Sequence, residues 1–115
     1  MDLLHFIETP IFQRKIDGLL SADEYQKFQA FLGLDAKVGD TIAGTGGCRK
    51  VRWALPGIGK SGGIRVIYYY LTRDGEIYLL IAYPKNEKDS LTNSEKNQLK
   101  KVIEAIEGTN ERRTV

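Results

Sequence analysis

Residues 64–83 read IRVIYYYLTRDGEIYLLIAY, two apolar runs joined by a polar Thr-Arg-Asp-Gly step. Ile64 to Leu71 and Glu76 to Tyr83 are rich in β-branched and aromatic side chains, and Asp74-Gly75 is a hairpin signal. Pro84 closes the second run. This hairpin sets the class, because neither run is long enough to cross a bilayer and both need partners in a sheet.

Upstream, Cys48 to Ala54 alternates, with Lys50 and Arg52 on one face and Val51 and Trp53 on the other, the period of a third strand. Pro56 to Gly63 forms a glycine-rich loop between it and the hairpin, and Leu34 to Gly47 a longer loop before it. Leu3 to Glu8 is a short strand. Thr9-Pro10 is an N-cap followed by proline at the first helical position, and Ile11, Phe12, Ile16, Leu19 and Leu20 follow at helical spacing. Ser21 and Glu24 form a capping box for a second helix, with Tyr25, Phe28 and Leu32 inward and Gly33 as its stop. Thr92 and Glu95 cap a last helix with the stripe Leu99, Val102, Ile103 and Ile106. The order β-α-α-β-β-β-α predicts an α+β domain over residues 1–108, with 109–115 a polar tail. Its sheet is small and mostly antiparallel, with the helices packed on one face. Lys50 and Arg52 would then show on the open one.

Charge is segregated along the chain. Thr41 to Arg73 carries six basic residues (Arg49, Lys50, Arg52, Lys60, Arg65 and Arg73) and no acidic one. A formal net charge of +2 therefore divides into +6 in this run and −4 elsewhere. Eight of the twelve glycines lie in it or just before it, at Gly39, so backbone can approach a ligand closely. Such a surface suits a polyanion, and splayed RNA bases and phosphates in particular. One cysteine, Cys48, forms no internal disulfide and fits a reducing cytoplasm. No export signal opens the chain. With one histidine, His5, and no clustered carboxylates in the basic run, no metal or other cofactor is implied. Ala54 to Ser61 satisfies a relaxed phosphate-loop pattern, but a strand follows it where that motif needs a helix N-terminus.

Gly44-Thr-Gly-Gly-Cys-Arg-Lys-Val-Arg-Trp53, Gly57-Ile-Gly-Lys-Ser-Gly-Gly63, Ile64-Arg-Val-Ile-Tyr-Tyr-Tyr70 and Ala82-Tyr-Pro-Lys-Asn-Glu87 together resemble the HigB-type toxins of the RelE superfamily. The resemblance covers most of the chain. It implies a RelE-like fold and a metal-independent endoribonuclease that cuts mRNA on the translating ribosome. It also implies a cognate antitoxin as partner. Carried over residue by residue, the basic pair of one strand falls on Lys50 and Arg52, the arginine opening the next on Arg65, and the basic position after the third on Lys85. Asn86 stands where better-known relatives have a second arginine. Thr92 stands near a tyrosine of some relatives, which leaves Tyr83 as the aromatic substitute.

RNA cleavage by 2′-hydroxyl attack leaves a 2′,3′-cyclic phosphate and needs a proton acceptor, a proton donor and charge stabilisation on the phosphorane. Arg65 is assigned the last role, since a guanidinium holds two phosphate oxygens at once. Arginine stays protonated, so proton transfer falls to a lysine, with Lys50, Lys60 and Lys85 the candidates and Lys60 or Lys85 preferred. Lys50, Arg52 and Asn86 are left to bind phosphate and RNA. The alternative reading is a non-catalytic RNA- or ribosome-binding module, or a regulator whose basic face docks an acidic protein.

Overall fold

The computed structural model describes residues 4–55, 63–88 and 90–113, the last five by backbone alone. The chain runs β1 (His5–Glu8), α1 (Pro10–Leu19), α2 (Ala22–Leu34), β2 (Asp40–Thr41), β3 (Arg49–Trp53), β4 (Ile64–Leu71), β5 (Glu76–Pro84) and α3 (Asn93–Arg113). The five strands form one sheet in the order β1-β5-β4-β3-β2. Only the β1–β5 pairing is parallel; the other three are antiparallel. This is the α+β sheet expected, with one strand added. Asp40 and Thr41 pair with Lys50 and Arg49 inside the segment read as loop, too short a strand to leave a period.

Local signals account for most of the element starts. The Phe12 amide donates to Thr9 Oγ1 at 3.0 Å, and the same hydroxyl donates to the Leu80 carbonyl at 2.8 Å, so the α1 cap also fastens the helix to β5. The Glu24 amide donates to Ser21 Oγ at 3.1 Å. At α3 the capping box is reciprocal: the Glu95 amide donates to Thr92 Oγ1 at 3.1 Å, and the Thr92 amide to Glu95 Oε1 at 2.9 Å. The hairpin turns through a single 3₁₀ turn, Thr72–Asp74, and closes on Gly75 at φ +64°, a left-handed value that favours glycine. Helix α2 runs one residue past Gly33, and α3 stays helical past Gly108 to Arg113.

One expectation does not hold. The helices cover both faces of the sheet, not one. Against one face, Phe12, Ile16, Phe28 and Leu32 of α1 and α2 pack on Val51, Ile64, Val66, Tyr68, Ile77, Leu79 and Ala82. Against the other, Leu99 and Ile103 of α3 pack on Cys48, Ile67, Leu80 and Tyr83. The physical reason lies in β4 and β5, which are buried almost throughout and so need cover on both sides. Only β3 alternates cleanly. A register shift opposite Ile67 and Tyr68, which pair with Ile81 and Leu79, turns Leu80 and Ile81 both toward α3. Ile11 and Val102, expected inward, are 55% and 41% exposed.

Candidate functional site

The cross-strand register brings the predicted cations together at one end of the sheet. Arg52 on β3 stands directly opposite Arg65 on β4, and Arg65 opposite Tyr83 on β5. One row further in, Lys50 faces Ile67, which faces Ile81. Residues paired across antiparallel strands share a face, so Lys50, Arg52, Arg65 and Tyr83 lie on the α3 side of the sheet. Val51 and Trp53 point the other way, where Trp53 meets the Phe28 ring edge-on and its indole N–H donates to Glu24 at 3.3 Å.

Lys85 joins the same end. It follows β5 directly, and its amide donates to the Gly63 carbonyl at 3.0 Å, beside the start of β4. Asn86 is exposed in the following turn, which the Glu87 amide closes on the Pro84 carbonyl at 3.0 Å. Lys60 falls outside the described residues, as does the loop core from Pro56 to Gly62.

The burial of these charges is unequal. Arg52 is exposed, Lys50 and Lys85 are half-buried, and Arg65 is only 3% exposed. Among the described residues none of the four pairs with a carboxylate; the four ion pairs are Lys15–Glu87, Lys27–Glu24, Arg73–Glu107 and Lys88–Glu95. Among the described residues the Arg65 guanidinium makes one long bond, donating to the carbonyl of the preceding Ile64 at 3.4 Å. A buried cation facing a second arginine is unfavourable unless something anionic completes it. Helix α3 adds to the field. It crosses this face from Lys88 and Tyr83 at its start to Tyr69 and Arg73 at its end, so its positive pole lies at the cationic end.

The other bases of the run do structural work. Arg49 donates to the Lys37 and Gly39 carbonyls at 3.1 and 2.8 Å, closing the turn before β2, and Arg73 holds Glu107 of α3 at 2.8 Å. Tyr68 is buried between the Gly39 amide and the Ala36 carbonyl, and Tyr69 donates to Glu107. Burial pushes the Cys48 thiol up to about 11, which makes it a poor nucleophile. His5 is exposed on β1, away from this end. Thr92 serves the α3 cap. Among the described residues no cluster of three or more His, Cys, Asp or Glu stands ready to hold a metal, and no helix is long and apolar enough to cross a membrane.

Sequence reasoning passed over one pair at the site. Lys88 forms an ion pair with Glu95, and its ammonium lies 5.0 Å from the centroid of the Tyr83 ring. Its only signal was a lysine seven positions before a capping glutamate. That bond and the Thr92 amide hold the Glu95 carboxyl below its usual range.

Two comparisons bear on the arrangement. A family model described as the RelE toxin of the RelE / RelB toxin-antitoxin system matches residues 24–113. The fold is similar to that of a double arginine-to-alanine mutant of the E. coli toxin RelE in the free state, with a TM-score of 0.57 and 11% identity over 76% of this chain and 90% of that one.

Proposed function

The chain belongs to the family of RelE toxins of the RelE / RelB toxin-antitoxin system, and from that premise we propose that its basic corner is where RNA is cut. The protein is a toxin, an endoribonuclease that cleaves mRNA on the translating ribosome and so arrests translation, with an antitoxin as its partner. The narrower HigB grouping rests on the sequence motifs alone. The observation that carries the site reading is the Arg52–Arg65 pair, directly opposed across two strands and unmatched by any carboxylate among the described residues.

In this reading a phosphate completes the pair. The exposed Arg52 and half-buried Lys50 clamp the RNA backbone, and Asn86 hydrogen-bonds it from the turn. Arg65, held nearly free of water, meets the phosphorane oxygens as the extra charge develops, where a prepositioned cation in a dry site counts most. The 2′-hydroxyl attacks phosphorus, its proton passes to Lys60 or Lys85 in the neutral form, and a lysine ammonium returns a proton to the leaving 5′-oxygen. The bonds made and broken balance with no metal. An acidic antitoxin segment laid over this face would neutralise it in the cytoplasm.

Brief induction followed by mapping of transcript 5′ ends tests the reading. New ends inside open reading frames are expected with the wild type and none with Arg65→Ala. Salt-sensitive ribosome binding without new ends would favour a non-catalytic module, and full toxicity of a folded Arg65→Ala protein would remove Arg65 from the chemistry.

A further inference from the structure

We infer that Lys88 is a positioning residue of the cleavage site: gripped between Glu95 and the face of Tyr83, it fixes the aromatic beside Arg65 and holds the Lys85–Asn86 turn against the sheet. The inference rests on the basic corner being the place of cleavage and adds a residue that acts there through others.

Glu95 is oriented by the α3 cap independently of Lys88. Its Oε1 accepts the Thr92 amide at 2.9 Å, its own amide donates to Thr92 Oγ1 at 3.1 Å, and Oε2 is left for the Lys88 ammonium. A carboxylate locked into a helix start cannot follow a wandering lysine, so the lysine is held where the helix places it. On its other side the ammonium faces the Tyr83 ring at 5.0 Å, a cation–π arrangement. Tyr83 is 2% exposed and is the cross-strand partner of Arg65.

The four residues between Tyr83 and Lys88 carry the turn with Lys85 and Asn86. Its near end is tied by the Lys85 amide to Gly63 and by the Glu87 amide to Pro84, both at 3.0 Å. Lys88 ties the far end. An exposed ion pair does little by itself, but this pair is two-thirds buried on both sides and joins β5, the turn and α3 at one atom. Loosening it frees Lys85 to drift relative to Arg65, and small misplacements of reacting groups are costly in rate.

The test uses Lys88→Met and Glu95→Gln, singly and together, with Lys88→Arg as the conservative replacement. Gln keeps the oxygen that accepts the Thr92 amide, so the cap survives while the ion pair is lost. Single-turnover cleavage of ribosome-bound mRNA over a range of toxin concentrations separates the rate constant from the apparent KM. Each single variant is expected to lower the rate constant about tenfold with KM within about twofold, the double variant no further, and Lys88→Arg to recover most of the rate. Unchanged rates would overturn the inference. So would a raised KM at unchanged rate, which would make Lys88 a direct RNA contact. NMR gives a readout without RNA: the Lys88 ε-methylene protons should be shifted upfield by the Tyr83 ring and return to their ordinary position in Glu95→Gln. Ordinary shifts in the wild type would overturn the clamp. Arg65→Ala in the same cleavage assay keeps the failures apart. An inactive Arg65→Ala beside fully active Lys88→Met defeats only the positioning role, whereas a fully active Arg65→Ala defeats the basic-corner reading and this inference together.

Discussion

Replacing Arg65 with methionine should make the protein more stable while ending its activity. Arg65 is 3% exposed, donates to no carboxylate among the described residues, and stands opposite Arg52 on the neighbouring strand. At a nominal separation of roughly 7 Å, two unit charges would repel by about 2.4 kcal/mol at an effective dielectric of 20. Arg52 is exposed and can swing outward, which discounts that figure to about 1 kcal/mol. Removing a poorly paired buried guanidinium also recovers desolvation free energy, while methionine fills much the same space and keeps its apolar contacts. The net expectation is a gain of about 1–2 kcal/mol, or roughly 4 °C in Tm for each kcal/mol in a domain of this size. Urea unfolding of the purified proteins, followed by tryptophan fluorescence from Trp53, measures the change. Inorganic phosphate supplies a second arm. At ten times its Kd it should stabilise the wild type by about 1.4 kcal/mol and the variant much less. A variant less stable than the wild type by more than about 1 kcal/mol would refute the reasoning, because the guanidinium would then be satisfied in the folded state and not waiting for a phosphate.

Three further outcomes follow from the geometry. A Cβ on Gly63 would lie 2.4 Å from the Trp53 carbonyl oxygen and 3.3 Å from the Ala54 Cα, both backbone, so Gly63→Ala should cost about 1–3 kcal/mol by urea unfolding; an unchanged midpoint would contradict the close approach. Thr9→Ala removes the α1 cap and the bond to Leu80 together and should cost about 1–2 kcal/mol, with Thr9→Ser losing much less in the same measurement. Burial raises the Cys48 thiol from 9.0 to about 11, so the folded state keeps its proton longer than the unfolded chain. That contribution is whole below pH 9 and fades as pH climbs through 11, by up to about 3 kcal/mol; Cys48→Ala should flatten the decline, and parallel pH profiles for the two proteins would count against it.

The hairpin, the Thr9 and Thr92 caps and the alternation of β3 were legible because each is a local pattern with a local cause. The two-sided packing was not, because β4 and β5 carry no alternation to report which face is wet, and the bulge that turns Leu80 and Ile81 the same way leaves no mark in composition. The short strand β2 was hidden for a related reason: two residues carry no period. At the site, Lys50, Arg52 and Arg65 were legible as charges, but their mutual placement came from register alone. The run of six bases also misleads if counted whole, since Arg49 and Arg73 are spent on carbonyls and on Glu107. Lys88 could not be singled out among the lysines of a polar stretch, because its meaning depends on where Tyr83 and Glu95 come to lie.

The placement of the basic row at one end of the sheet has a cause in how α3 is seated. Its apolar stripe covers Cys48, Ile67 and Leu80, and its far end is tied down by Tyr69 and Arg73 on Glu107. Leu80 and Ile81 both face it because of the bulge, which widens the apolar floor toward the middle of β5 and lets one helix of modest hydrophobicity hold the face. Tyr83 is the last apolar residue on that floor, and the Arg52–Arg65 row lies level with it. The apolar cover therefore gives way to charge within one or two residues. A sheet buried on both sides through its centre can hold a charged row rigidly at its end, because the strands that carry the row are fixed by packing elsewhere. Rigidity is what the proposed chemistry would require, since a guanidinium already in place spends no free energy on reorganisation as charge develops. The same reasoning explains why the unfavourable Arg65 can be tolerated: the two apolar clusters that hold β4 do not include it, so its cost falls on the site and leaves the core intact.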